Sequence, residues 1–126
     1  MSEGGAGEGT ARTDGVAGEV AVDAGAAREV LLEVASGVAT ITLNRPDKRN
    51  MLTGSGMGQL AACLRAAGSD EAVRVIVLTG SGNTFCSGAD LSAASSADAS
   101  SFTGSGPAAL VAVLEAMLDN PKPVIA

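Results

Sequence analysis

Residues 75–91 read VIVLTGSGNTFCSGADL, an apolar segment followed by a glycine-containing loop. With Val73 before it, the apolar segment predicts a strand over residues 73–79. Because this strand is apolar on both faces and has helical patterns on either side, it is typical of a central parallel strand in an α/β sheet. Residues 85–91 predict a short strand that breaks into a new helix. Such a break leaves backbone N–H groups unpaired at the helix start, where an oxyanion or a phosphate can bind.

Three more strands are predicted elsewhere. Apolar residues alternate over residues 28–36 and again over 38–43, and only the turn signal Ser36-Gly37 separates the two runs. So short a connection predicts a hairpin. Pro46 ends the hairpin because proline cannot continue a ladder, and residues 124–126 begin a last strand. The residues predicted to face inward from the hairpin are Leu32, Val34, Ile41 and Leu43.

Helical spacing marks two segments. Residues 55–67 predict an amphipathic helix, with Gly68 as the C′ residue that follows it. Pro107 suits the first position of a second helix, which continues over 108–118. That helix is apolar on almost every side, which indicates burial or an oligomer contact. The small and polar residues 92–106 before it predict a loop or a weak helix.

Length and composition bound the class of protein. The 126 residues allow one domain. Residues 1–27 show no sustained period of either secondary structure, so they predict a disordered arm in front of a domain over residues 28–126. The chain does not open with a basic and then apolar leader, and no apolar run approaches the ~18 residues that a membrane span needs. These features predict a cytoplasmic protein that does not engage a membrane.

Residue types exclude several functions. The net charge is −6, and Phe85 and Phe102 are the only aromatic residues, so nucleic-acid binding is not expected. The absence of histidine excludes Ser-His-Asp and Cys-His catalytic systems within the chain and leaves Ser87 without a base. Cys63, on the apolar face of the first helix, and Cys86, at a predicted strand end, are expected to be reduced core residues. No metal site is expected.

Three segments, in this order, carry a family resemblance. Residues 44–52 read NRPDKRNML, residues 85–91 read FCSGADL, and residues 122–126 read KPVIA. With them the chain closely resembles the enoyl-CoA hydratase/isomerase (crotonase) superfamily over residues 30–126. The resemblance implies an α/β fold, the N-terminal part of a ββα superhelix, and a hydratase (a lyase) or isomerase of fatty acid metabolism. It further implies a homotrimer or hexamer and no separate cofactor, since coenzyme A belongs to the substrate.

The resemblance also implies a site. In this family the carbonyl oxygen of a CoA thioester lies between two backbone N–H donors that stabilise an enolate-like anion, while nearby carboxylates move protons. The first donor would be the N–H of Ala89, the catalytic group of this oxyanion hole. A CoA thioester is an anion, so its phosphates would have to be met by local groups such as Arg45, Lys48 and Arg49; the alternative interpretation of residues 45–49 is a solvated loop. The residues expected along the acyl group and the CoA tail are Lys48, Asn50, Met51, Gly88, Ala89, Asp90, Leu91 and Ser92.

Some of these residues have simpler interpretations. Asp90 is more often an N-cap, which would accept hydrogen bonds from the N–H groups of Ser92 or Ala93, than a proton carrier. Asn44 and Asn50 have the side chains that close turns.

The family's second donor and its catalytic glutamates are expected after residue 126, so the truncated chain is expected to be inactive alone. An alternative is a non-catalytic remnant that binds a CoA compound or pairs with other subunits. A third hypothesis is a dinucleotide-binding module, because Gly80-Ser81-Gly82 follows a strand and residues 104–109 fit G-x-G-x-x-A. Phe85 occupies the third glycine's place in the first match, however, and no strand precedes the second.

Overall fold

The described part of the chain forms a mixed four-stranded sheet with two helices. The computed structural model describes residues 27–90 and 99–126, with side chains for all of them except 99–106. The arm predicted over residues 1–27 therefore lies outside the described residues, apart from residue 27. The elements, in chain order, are β1 (Val30–Ala35), β2 (Val38–Leu43), α1 (Gly54–Ser69), β3 (Val75–Gly80), α2 (Ala99–Leu118) and β4 (Val124–Ile125).

The sheet is mixed, and its parallel part is built by helical crossovers. The strand order is β1-β2-β3-β4. β1 and β2 are antiparallel, whereas β3 runs parallel to β2 on one side and to β4 on the other. Parallel neighbours need a crossover connection, which α1 provides between β2 and β3 and α2 provides between β3 and β4. The predicted central parallel strand is thus confirmed, with bounds 75–80.

One face of the sheet carries the core. The register aligns Leu32 with Ile41 and Ile41 with Leu78, and a second row aligns Ala39 with Ile76. Apolar side chains therefore form continuous rows across the strands on the face that α1 covers, and α2 packs on α1. The four predicted inward residues lie on this face, two buried and two half-buried. The buried residues of the sheet are Val30, Ala39, Ile41, Leu43, Ile76 and Leu78.

The predicted hairpin is confirmed, and its turn explains its register. The two loop residues have positive φ, 53° at Ser36 and 82° at Gly37. A two-residue type I′ turn needs positive φ at both of its central residues, and its twist matches that of the flanking strands. Ala35 is consequently paired with Val38, and the register of the whole hairpin follows.

Helix α1 is longer than predicted, and Gly68 has a different role. Thr53 caps its start, with its hydroxyl oxygen accepting from the Gly56 N–H at 2.9 Å. The prediction that Gly68 follows the helix is wrong, because the helix continues through Ser69 to its C-cap at Asp70. A Cβ on Gly68 would lie 3.0 Å from the amide atoms of Asn120. Glycine is therefore used here for close approach of a neighbouring segment rather than for a helix end.

Helix α2 starts earlier than predicted. It begins at Ala99 rather than at Pro107, so the proline lies inside the helix. A proline most often marks a helix boundary, and a helix that contains one is the exception to the rule behind the prediction. Part of the segment predicted as a loop or weak helix, residues 99–106, is therefore helical, and residues 92–98 lie outside the described part. The later turns bury Val113 and Ala116 but expose Leu110, Val111, Leu114 and Leu118.

The two cysteines are free thiols with different surroundings. Cys63 is buried on the inner face of α1, as predicted, and this burial raises the pKa of its thiol to about 11. Cys86 lies in a loop and not at a strand end, so that part of the prediction is wrong. Its side chain is half-buried against the core. Its sulfur lies 3.4 Å from the backbone nitrogen of Gly88.

Among the described glycines, Gly80, the last residue of β3, leaves the least space for a side chain. A Cβ there would lie 2.6 Å from the Thr84 carbonyl oxygen and 2.7 Å from Nδ2 of Asn50, and closer still to the Phe85 carbonyl oxygen. We expect Gly80→Ala to lower the free energy of unfolding by about 3 kcal/mol or more, the upper end of overpacking costs, because two of these three atoms belong to the backbone.

Gly58→Ala is the matched control, since a Cβ at Gly58 meets nothing within 4 Å. Gly58 lies inside α1 and is exposed, so this change should raise the free energy of unfolding by about 1 kcal/mol. Urea unfolding of the two variants and the parent checks both values. Equal effects of the two substitutions would contradict the close approach at Gly80.

Candidate functional site

The candidate site forms where the chain segments after β2 and β3 meet. The Leu52 N–H donates to the Gly88 carbonyl oxygen at 2.9 Å, and the Asp90 N–H donates to the Leu52 carbonyl oxygen at 2.8 Å. These two hydrogen bonds make an isolated parallel bridge between Leu52 and Ala89. In a parallel bridge, the N–H and C=O of the residue that lies between the two hydrogen bonds, here Ala89, point away from the partner strand. The N–H of Ala89 therefore faces away from Leu52.

The backbone on either side of this N–H is held, while the N–H itself is available. Ala89 is exposed, and its N–H donates to no residue in the described part of the chain. Gly88 before it has a φ of 114°, a conformation that favours glycine. An outward N–H on a fixed backbone can donate to an anionic or carbonyl oxygen of a ligand. The structure thus presents the group that the sequence singled out, in a geometry suited to donation.

The short strand predicted within residues 85–91 is reduced to this single bridge. Residues 85–88 belong to no ladder, and the Ser87 N–H instead donates to the Arg49 carbonyl oxygen at 3.1 Å. The predicted strand is therefore longer than the paired segment in the structure. The prediction rested on local residue types, whereas the segment pairs at only one position. The helix predicted to follow near Leu91 would begin within residues 91–98, which lie outside the described residues.

Asn50 holds the two segments together from inside. It is one of the two buried polar residues of the described chain, with an exposure of 1%. Its side-chain oxygen accepts from the Arg45 N–H at 2.8 Å, which closes the 45–50 turn. Its amide nitrogen donates to the carbonyl oxygens of Ser81 at 2.9 Å and Thr84 at 2.6 Å. The turn-closing interpretation is confirmed for Asn50. Both hydrogens of its amide are used within the chain, and its expected place along a CoA tail stays a prediction.

Asn50 also has a backbone conformation that few residues adopt. Its φ is 57°, and that of Arg49 before it is 52°. Asparagine tolerates this left-handed region better than most residues because its side chain bonds locally. The sequence therefore supplies the residue that fits both the backbone and the hydrogen bonds.

Arg45 connects three parts of the site. Its Nη1 donates to the Met51 carbonyl oxygen and to Oδ2 of Asp90, each at 3.0 Å. Its Nε lies 3.8 Å from Oε1 of Glu29. The side chains of the three charged residues are 22%, 10% and 12% exposed for Arg45, Asp90 and Glu29. The guanidinium is thus engaged by two carboxylates, and the expectation that it meets a phosphate of CoA stays a prediction.

The other predicted contacts fall into three groups. Lys48 and Arg49 are exposed on the short 3-10 turn Pro46–Lys48 and just after it, and Met51 is half-buried. Their predicted places along a CoA tail stay predictions. Leu91 and Ser92 lie outside the described residues, as do the N–H groups that Asp90 was expected to cap. The ion pair with Arg45 is a role for Asp90 that the sequence analysis missed.

The rest of the described chain offers no second site of comparable chemistry. A cleft of about 360 Å³ lies between the C-terminal ends of α1 and α2, and none of the predicted site residues borders it. Within residues 27–90 and 99–126, no three His, Cys, Asp or Glu side chains could together hold a metal ion. Over the same residues, neither helix is long and apolar enough to cross a membrane. The residues lining the cleft are Arg65, Gly68, Ser69, Glu115, Ala116, Asp119, Asn120 and Pro121.

Comparison with protein families and characterised sequences finds consistent relatives. A family model described as enoyl-CoA hydratase/isomerase matches residues 33–126. Probable enoyl-CoA hydratase 1, peroxisomal, from Arabidopsis thaliana is 52% identical over 60 residues, which are 48% of this chain and 23% of that protein. The 1,2-epoxyphenylacetyl-CoA isomerase of Escherichia coli strain K12 is 44% identical over 62 residues, 49% of this chain and 24% of that protein.

A solved structure agrees with these sequence matches. An enoyl-CoA hydratase/carnithine racemase from Magnetospirillum magneticum superposes with a TM-score of 0.70 and 27% identity. The superposition covers 79% of this chain and 38% of that one. This chain therefore matches about a quarter of the length of the two relatives and less than half of the solved structure.

Proposed function

The chain belongs to the enoyl-CoA hydratase/isomerase family, and we propose that it binds a CoA thioester with the carbonyl oxygen against the backbone N–H of Ala89. The observation that carries the proposal is the Leu52–Ala89 bridge, which leaves this N–H outward on a backbone held at both neighbouring residues. Because the donor is part of the folded backbone, little reorganisation is needed when the oxygen becomes more negative. An enolate-like anion would then be stabilised more than the neutral thioester.

The site around Ala89 supports a ligand that is anionic at one end. Lys48 and Arg49 are exposed on the turn beside the bridge, so their charges are available to the phosphates of CoA. They act locally, since the chain as a whole carries a net charge of −6. The reaction proposed for the complete site is hydration or isomerisation of an acyl-CoA, in a cytoplasmic homotrimer or hexamer.

We propose also that the 126 residues alone do not complete this chemistry. Among the described residues we assign one donor to the carbonyl oxygen, the Ala89 N–H, and no general acid or base. Asp90 is paired with Arg45, and Asp47 is exposed on the 46–48 turn. A second donor and the proton-transferring carboxylates would come from the part of the family's sequence that this chain does not match. The alternative function is a non-catalytic CoA-binding or subunit-pairing protein, favoured by the exposed apolar face of α2.

Binding is tested with two ligands that differ by one oxygen, butyryl-CoA and its thioether analogue S-butyl-CoA. A neutral hydrogen bond contributes about 0.5–1.5 kcal/mol, so the chain should prefer the thioester roughly three- to tenfold in calorimetric Kd. Ala89→Pro, which removes the N–H, should abolish the preference, and Ala89→Ser, which keeps it, should not. Equal affinity of the parent chain for both ligands would overturn the proposed role of Ala89.

Turnover is tested separately. The purified chain should show no hydration of crotonyl-CoA above buffer, because a missing donor costs a hundred- to thousandfold and a missing acid or base about a hundred- to ten-thousandfold. Fusion to the remaining segment of a family member should restore activity, and Ala89→Pro in the fusion should remove it. Activity of the unfused chain that survives repurification would show that the acid or base lies among its own carboxylates.

A further inference from the structure

We infer that Arg45 is a positioning residue for the proposed reaction: it fixes the direction of the Ala89 N–H by clamping both strands of the Leu52–Ala89 bridge. The inference rests on the proposed function, because it concerns the same donor. It adds a residue that does not touch the ligand but decides where the ligand's oxygen can be bound.

The clamp follows from the two acceptors of a single nitrogen. Nη1 of Arg45 donates to the carbonyl oxygen of Met51 and to Oδ2 of Asp90, each at 3.0 Å. Met51 precedes Leu52, and Asp90 follows Ala89. The two hydrogens of Nη1 therefore link the two strands of the bridge directly beside its backbone hydrogen bonds.

The clamp is itself anchored in the fold. Two hydrogen bonds of 2.8 Å join Arg45 to Asn50. The Arg45 N–H donates to the side-chain oxygen of Asn50, and the Arg45 carbonyl oxygen accepts from the Asn50 N–H. Nε faces Glu29 at 3.8 Å. The Glu29 carboxylate accepts from the Thr53 hydroxyl at 2.9 and 2.8 Å, and Thr53 caps α1. Movement of the guanidinium would therefore disturb the turn after β2 and the start of α1.

An isolated bridge needs such support. Two backbone hydrogen bonds without neighbouring ladder pairs open readily, whereas hydrogen bonds to charged groups are stronger and more directional. The carboxylates that hold Arg45 are only 10% and 12% exposed, so solvent screens them less than a surface pair. The clamp should thus keep the donor in place between binding events.

Arg45 also offsets the negative charge of Asp90 beside the Ala89 N–H. Asp90 is the residue after Ala89, and its carboxylate would repel an oxygen that gains negative charge. The guanidinium at 3.0 Å offsets that repulsion. Both effects predict that removal of Arg45 weakens binding of the ligand's carbonyl oxygen and leaves binding of the rest of CoA unchanged.

The test uses the full 126-residue chain and the ratio of the Kd for S-butyl-CoA to the Kd for butyryl-CoA. Arg45→Met should lower this ratio from roughly three- to tenfold to near one, since the lost interaction is one neutral hydrogen bond. The Kd for S-butyl-CoA should stay within about twofold of the parent value. Arg74→Met is the matched control, because Arg74 is exposed and precedes β3 at the opposite end of that strand. It should leave both Kd values unchanged.

A purely structural role gives a different result. If Arg45 only stabilises the fold, a folded Arg45→Met chain keeps the parent ratio, and the inference is overturned. A parent ratio of one overturns the proposed function instead, whatever the variants do, so the two failures are distinguishable.

A second variant keeps the test decisive if Arg45→Met does not fold. Asp90→Ala removes one arm of the clamp and leaves the contacts of Arg45 with Met51 and Glu29 in place. Asp90→Ala also removes the carboxylate that repels the ligand oxygen, so a fall of the ratio in this variant can come only from the lost clamp. The ratio should fall toward one, and an unchanged or higher ratio in the folded variant contradicts the clamp. Where both single variants fold, the double variant should lose no more than either one, because neighbours that act as a unit are not additive.

Discussion

Two backbone hydrogen bonds, made by Leu52 to the residues on either side of Ala89, determine what this chain can present to a ligand. They join the segments that leave β2 and β3, two parallel neighbours whose carboxyl ends lie at the same edge of the sheet. Ligand sites of open α/β sheets lie outside such ends. The bridge turns that general location into one defined donor, because it occupies the N–H groups of Leu52 and Asp90 but not that of Ala89.

The bridge depends on a crowded polar interior between the two segments. Asn50 is buried and uses its amide to hold the turn after β2 against the loop after β3. Gly80 leaves the space that this approach needs. A buried amide without its partners would cost free energy, so the contacts of Asn50 select one arrangement of the two loops. Arg45 then ties the bridge to the sheet and to α1 through Glu29 and Asp90.

The sequence predicted the elements well where the signal is local. Alternation over residues 28–43, the two-residue turn and the helical spacing of 55–67 each depend on neighbouring residues, and each was confirmed. Family membership followed from three ordered motifs. The predicted start of α2 was wrong because it relied on the rule that a proline marks a helix boundary, and Pro107 lies inside the helix. Gly68 was misplaced because its partner, Asn120, lies far along the chain.

The interior of the site could not be predicted from the sequence. The Arg45–Asp90 pair spans 45 residues and the Asn50 bonds span 31 and 34, and no local pattern reports on contacts of that separation. The sequence suggested a phosphate contact for Arg45 from its charge, and the family resemblance suggested a place along the CoA tail for Asn50. One signal was present: both polar segments directly follow predicted strands, and ligand sites of open α/β sheets lie at the carboxyl ends of such strands.

Amide hydrogen exchange at residues 52, 89 and 90 tests the central claim most directly. The bridge predicts slow exchange for the Leu52 and Asp90 N–H groups and fast exchange for the Ala89 N–H, although Ala89 and Asp90 are adjacent in sequence. This alternation needs no ligand and no activity. Slow exchange at all three positions would mean that the Ala89 N–H already has a partner within the chain. Fast exchange at all three would mean that the bridge does not hold, and either result would contradict the account.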